Sequence, residues 1–101
     1  MTTTAPVTTE SILTRYADDI AFVAEEQPAT TIEDFIDQLR WSVRNFELAG
    51  INGTEELEDA ATYLGDADGS TDENERTVLL NRAVESLAYA DDMVSEFRDM
   101  V

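Results

Sequence analysis

Apolar residues return at steps of three and four along most of this chain, and the pattern breaks in three places. Steps of that size put side chains on one face of an α-helix; a half-buried strand would alternate with period two, and no stretch here does so. The first run is Ile12, Leu13, Tyr16, Ala17, Ile20, Val23 and Ala24, with Phe22 outside the stripe. Thr8 stands where its hydroxyl can cap that helix, with Val7 and Ile12 at the two staple positions around it. Pro28 closes the run near Gln27, because a proline pushes the residue before it out of the helical region.

Thr30 and Glu33 have the spacing of a capping box, and Ile32, Phe35, Ile36, Leu39, Val43 and Phe46 then form the second stripe. Gly50 suits the left-handed residue that ends a helix, which would lay Ile51 against Phe46. Asn52-Gly53 is a turn, and Thr54 opens a shorter helix with Leu57, Ala60, Ala61 and Leu64, ended by Gly65 in the same way. Ser70 and Glu73 form a capping box for the last helix, where Leu80, Ala83, Leu87, Ala90, Val94, Phe97 and Val101 alternate steps of three and four. That helix, over about 72–99, would be about 42 Å long at 1.5 Å per residue, against about 30 Å for each of the first two. It must protrude, bend or pack along more than one partner. The expected fold is all-α: a polar tail at 1–7, then a single four-helix bundle-like domain over 8–101, with helices at about 8–27, 31–49, 54–64 and 72–99.

Length and composition agree with one compact domain. A chain of 101 residues with 43% apolar content is too short for two comfortable domains and too apolar for a disordered chain. No apolar run approaches the roughly 20 residues of a membrane span, so no membrane role is expected. The opening MTTTAPVTTE has neither the basic region nor the apolar core of a secretory signal.

Charge is the most unusual property of the chain. The net charge is −17, from 23 acidic and 6 basic residues, and every basic residue is an arginine. Threonine is abundant and lysine is absent. This composition resembles the acidic proteins of extreme halophiles, haloarchaea and their viruses above all. The resemblance is to a way of living in salt and implies an environment, not a specific family. At about 1 M salt the Debye length is about 3 Å, so carboxylate repulsion is screened at close range. The carboxylate surface keeps the protein hydrated, and arginine persists where its planar fork makes a specific contact. The expected location is the cytoplasm of a high-salt organism, or a virus particle infecting one. An acidic stripe imitating nucleic-acid phosphates is the other reading of the charge. Direct nucleic-acid binding is not expected, since phosphate neutralisation needs clustered cations and these arginines are scattered.

The residue inventory removes most catalytic chemistry. Without His, Cys or Lys there is no Ser–His or Cys–His pair, no Schiff base and no zinc site built on Cys or His. We therefore expect no enzyme and no cofactor. Asp18-Asp19 and Asp91-Asp92 are neighbours on helices, about 100° apart, and cannot chelate alone. The stretch YLGDADGSTDENERTVLL, residues 63–80, begins like a calcium loop. Counted from Asp66, however, the glycine comes fourth instead of sixth and the twelfth residue is Thr77; counted from Asp68, the sixth is Glu73 and the twelfth Leu79. Weak cation association at Asp66, Asp68 and Asp72 is the most this spacing supports. Otherwise the segment belongs to an acidic surface with Glu55, Glu56, Glu58, Asp59, Glu73 and Glu75. No cation occurs between Asn45 and Glu75, against ten carboxylates.

Two features exceed what a minimal bundle needs. Trp41 and Leu48 lie opposite the second helix's main stripe, with Arg40 and Arg44 beside them, and Val78, Tyr89, Met93 and Met100 form a second apolar line on the last helix. Trp, Tyr, Met and Arg are the types enriched at interface cores. With Phe22, these are the interface candidates, unless some of them complete the core. The expected function is a non-catalytic assembly or protein-binding module, through a protein partner or self-association; a small virion connector is one concrete form. An acidic nucleic-acid mimic and a small host regulatory protein are the alternatives.

Overall fold

The computed structural model describes residues 7–100. Its four helices are α1 (Thr9–Ala24), α2 (Ile32–Leu48), α3 (Thr54–Gly69) and α4 (Glu73–Met100), packed around one apolar core as an all-α bundle. Val7 is half-buried against that core; residues 1–6 of the expected tail, and Val101 of the last stripe, lie outside the described residues.

The helix ends show which local signals won. Thr8 caps α1 as expected, in a reciprocal box with Ser11: the Ser11 N–H donates to the Thr8 hydroxyl at 3.1 Å and the Thr8 N–H to the Ser11 hydroxyl at 2.9 Å. α1 stops at Ala24, three residues before Gln27. Glu25 turns left-handed at φ 60°, and the N–H groups of Glu25 and Glu26 both reach the Ala21 carbonyl. α2 is capped by Thr31, not Thr30; the Thr31 hydroxyl accepts the Asp34 N–H at 3.2 Å. Its far end is the expected Schellman turn. Gly50 sits at φ 77°, the Ile51 N–H reaches the Phe46 carbonyl at 2.9 Å, the Gly50 N–H reaches Glu47 at 3.0 Å, and Ile51 is buried.

α3 departs most from expectation. Gly53, at φ 97°, precedes it with no side-chain cap, so Thr54 does not cap the helix. The helix then passes through Gly65 and ends at Gly69. The extra turn carries Ala67, which is wholly buried, and that burial offsets the cost of a glycine inside a helix, about 1 kcal/mol against alanine. Asp72 takes the cap of α4 in place of Ser70, its carboxylate accepting the Asn74 N–H at 2.9 Å. The Ser70 carbonyl instead accepts from the Arg76 guanidinium at 2.7 Å.

The helices do not simply alternate in direction. Ser42 donates to the Ile20 carbonyl at 3.1 Å and Asn45 to the Val23 carbonyl at 2.7 Å, a constant offset of 22 residues. Equal offsets mean that α1 and α2 run in the same sense where they touch. The connector 25–31 therefore has to return along α2, and Gln38 holds it there by donating to the Gln27 carbonyl at 2.6 Å. α4 also follows α1: Val7–Thr9 share a groove with Glu73–Thr77 at one end, and Phe22 meets Phe97 at the other. Only α3 opposes them, with Gly53 lying over Met93. Of the three outcomes expected for so long a helix, α4 takes packing along more than one partner. It packs along both α3 and α1. Leu80, Ala83, Leu87, Ala90 and Val94 of its stripe are buried as expected, with Phe97 partly so.

Candidate protein-interaction surface

The outward face of α2 is built by helical periodicity. Phe35, Leu39, Val43 and Phe46 enter the core, which leaves Asp34, Asp37, Trp41, Arg44 and Leu48, at steps of three and four, on the opposite side. Trp41 is 51% exposed and Leu48 77% exposed. The Arg44 guanidinium lies over the Trp41 ring, 5.7 Å from its centroid, and Arg40 is exposed one turn away. Among the described residues the one ion pair joins Arg98 to Asp19, so neither Arg40 nor Arg44 has a carboxylate within 4.0 Å. Two arginines one helical turn apart repel each other; the nearest carboxylates along the helix, Asp37 three residues before Arg40 and Glu47 three after Arg44, do not close on them as ion pairs.

Beside this face runs a shallow groove between the connector and α2. Pro28, Ala29 and Thr30 form one wall, and Asp34, Asp37 and Trp41 the other. Gln38 lies between them. Its amide nitrogen is spent on Gln27, and its buried Oε1 has no partner.

The remaining interface candidates separate. Phe22 is 43% exposed but already engaged: Phe97 meets it edge-on at 6.1 Å, and the Arg98 guanidinium lies 5.0 Å from its centroid. Met93 takes the core alternative. It is buried in the core, its sulfur 3.6 Å from where a Cβ on Gly53 would stand, because the α2–α3 turn closes over it. Val78, Tyr89 and Met100 are all at least half exposed. Their eleven-residue spacing lines them up on α4 about 16 Å apart, too far to form one patch.

The acidic segment does not gather a metal site. Asp66 and Asp68 sit on the last turn of α3 about 200° apart and face different grooves, while Asp72 is occupied as a helix cap. Among the described residues no group of three or more carboxylates could hold a metal ion. Glu55 and Glu56 stand in the first turn of α3, and Glu73 and Glu75 in the first turn of α4, where they complement the positive end of the helix dipole. Glu58 and Asp59 are exposed further along α3. Tyr16 is a different kind of buried group. Its hydroxyl has no partner, and desolvation pushes the phenol above its ordinary value; Arg15, whose guanidinium lies over the ring, opposes that shift, and Asp91 adds to it.

Sequence reasoning passed over Gln38, Ser42 and Asn45. All three stand on the α1-facing side of α2 and bond carbonyls of α1 or the connector that follows it. The available signal was a polar residue next to an apolar one at each turn of that stripe. No helix among the described residues is long and apolar enough to cross a membrane. No protein-family model matches the sequence, and no curated protein and no solved structure matches it either.

Proposed function

We propose that this chain is a non-catalytic protein-binding or assembly module working at high salt, with the outer face of α2 as its contact surface. The observation that carries the reading is Trp41 and Leu48 standing open to water beside two arginines without carboxylate partners, in a chain with 23 acidic residues. Trp and Arg are among the side chains that dominate interface energetics, and here they stand exposed together with Leu48 on one helix face. The high-salt part of the proposal rests on charge. With a net charge of −17, the folded state repels itself in dilute buffer and loses that repulsion when salt shortens the screening length. A small connector or accessory protein of a virus particle in such an environment fits both features.

Replacing Trp41 and Leu48 with serine, singly and together, tests the surface. A contact surface has little part in folding of the single chain, so at concentrations below any self-association each change should move the unfolding free energy in about 1 M KCl by under about 1 kcal/mol. A loss of several kcal/mol would make the stripe part of the fold and sink the reading. For the environment, the helical circular-dichroism signal should strengthen as KCl rises from about 0.1 M. Full cooperative folding in dilute buffer would count against halophilic adaptation.

A further inference from the structure

The outer face of α2 is complementary to itself. Centred on Trp41, it carries Asp37 four residues before and Arg44 three residues after, then Asp34 seven before and Leu48 seven after. Two copies of such a helix laid antiparallel with their Trp41 side chains at the axis bring positions at equal and opposite offsets together. Arg44 of each then falls within one residue, about 1.5 Å of axial rise, of the level of Asp37 on the other. Leu48 of each reaches the level of Asp34 on the other, where the groove walled by Pro28 and Ala29 opens. The most exposed large apolar side chain among the described residues thus meets a groove that adjoins the stripe, and the arginine with no carboxylate within 4.0 Å meets an exposed carboxylate.

We infer that the occupant of this face is a second copy of the chain, in a two-fold dimer held by Trp41 at the axis, two Arg44–Asp37 pairs and two Leu48 side chains in the connector grooves. This inference rests on the contact-surface reading above and names its partner. A two-fold contact needs one patch carrying both complementary charges, which this stripe has. Within one helix, Asp37 and Arg44 are seven residues and about 10.5 Å apart, too far to satisfy each other. The stripe is short against the roughly 800 Å² per partner of a standard interface, so the dimer is a weak and exchanging one. Salt decides whether it forms. Each copy carries −17, and that long-range repulsion is screened beyond about 3 Å near 1 M salt, whereas pairs in contact are screened less.

The test is sedimentation of the full chain over a wide concentration range in about 1 M KCl, where that screening applies. The expected result is a reversible dimer whose midpoint coincides with a blue shift of the single tryptophan's emission. Asp37→Arg and Arg44→Asp should each weaken it at least about tenfold, while an equimolar mixture of the two variants recovers it, since each pairing across the axis is then again opposite in charge. The double variant Asp37→Arg/Arg44→Asp should also dimerise. Both positions are exposed, and circular dichroism of each variant establishes that it is folded. A monomer at all concentrations, a dimer indifferent to either reversal, or a mixture no better than its components would each overturn the pairing. If the chain is monomeric while the Trp41 and Leu48 replacements leave folding untouched, only this pairing fails and the contact surface stands. If those replacements unfold the chain, the surface reading itself fails.

Discussion

Two exposed aromatics with an arginine lying over each look alike in a list and differ in space. At the α1–α4 edge, Phe22 has Arg98 over its face and Phe97 at its edge; Arg98 also reaches Asp19 at 3.3 Å, and Phe97 passes the contact inward to Phe46 at 5.8 Å. Every group there finds its complement within the chain. On α2, Trp41 has Arg44 and nothing further outward, and Arg44 has no carboxylate. The first edge ties the C-terminal turns of α4 to α1. The second ties nothing together. Exposure alone therefore does not mark an interaction surface. The sharper criterion is whether the charge and the ring are already answered from within the fold.

The two sites should respond differently to truncation. Phe97→Ala should give the largest loss, about 2–3 kcal/mol of unfolding free energy, somewhat under the 3–5 kcal/mol of a fully buried phenylalanine because Phe97 is only partly covered. Chemical denaturation followed by circular dichroism in about 1 M KCl measures it, with Trp41→Ser as the paired control. A Trp41 loss equal to that of Phe97 would make the α2 face as structural as the edge. Tyr16 sharpens the comparison from the core side of α1. Its hydroxyl is buried without a partner, so Tyr16→Phe should be neutral or stabilising by up to about 1 kcal/mol near pH 7. The sign of the pH effect follows from the raised phenol. The neutral form is favoured in the folded state, so its contribution is complete below the unfolded phenol's pKa of about 10 and is lost as pH rises through the higher folded value. The phenylalanine variant should lack that alkaline loss, and an unchanged pH profile would show that burial does not raise the Tyr16 phenol.

The helices were legible because periodicity reports which side of a segment is buried, and four stripes gave four helices. It does not report direction. Nothing in the spacing of α1 and α2 says that they run in the same sense; that depends on where Gln38, Ser42 and Asn45 find carbonyls, and a seven-residue connector has the reach for either arrangement. Gly65 read as a stop because glycine usually ends helices, yet the buried methyl of Ala67 beyond it was too slight a signal to outweigh that rule. Met93 and Tyr89 were equivalent in sequence, each just outside the heptad stripe; the turn at Gly53 covers one and leaves the other exposed. The α2 stripe was readable, since Trp41, Arg44 and Leu48 share a face by spacing alone. That Phe22 was already engaged was not, because Phe97 and Arg98 come from the far end of the chain.

The smallest effect separates the two arginines by salt. Arg98→Gln removes a stacking contact on Phe22 and the ion pair with Asp19; Arg44→Gln removes a stacking contact on Trp41 and the like-charge neighbour of Arg40, but no ion pair. An exposed stack over an aromatic is worth about 0.5–1 kcal/mol, and an exposed ion pair adds about 0.2–1 kcal/mol. The Arg98 side chain is more than half exposed, which places the pair near the lower end of that range. In monomer, the two variants should therefore differ by no more than about 0.5 kcal/mol at moderate salt, Arg98→Gln being the less stable. The difference should shrink as KCl rises, because the ion pair is screened and the stacking is not. Unfolding curves at two KCl concentrations, taken below the range of self-association, would measure it. A gap that stays constant with salt would assign the Arg98 contribution to its place over Phe22, and the α1–α4 edge would then differ from the α2 face only in having Phe97 behind it.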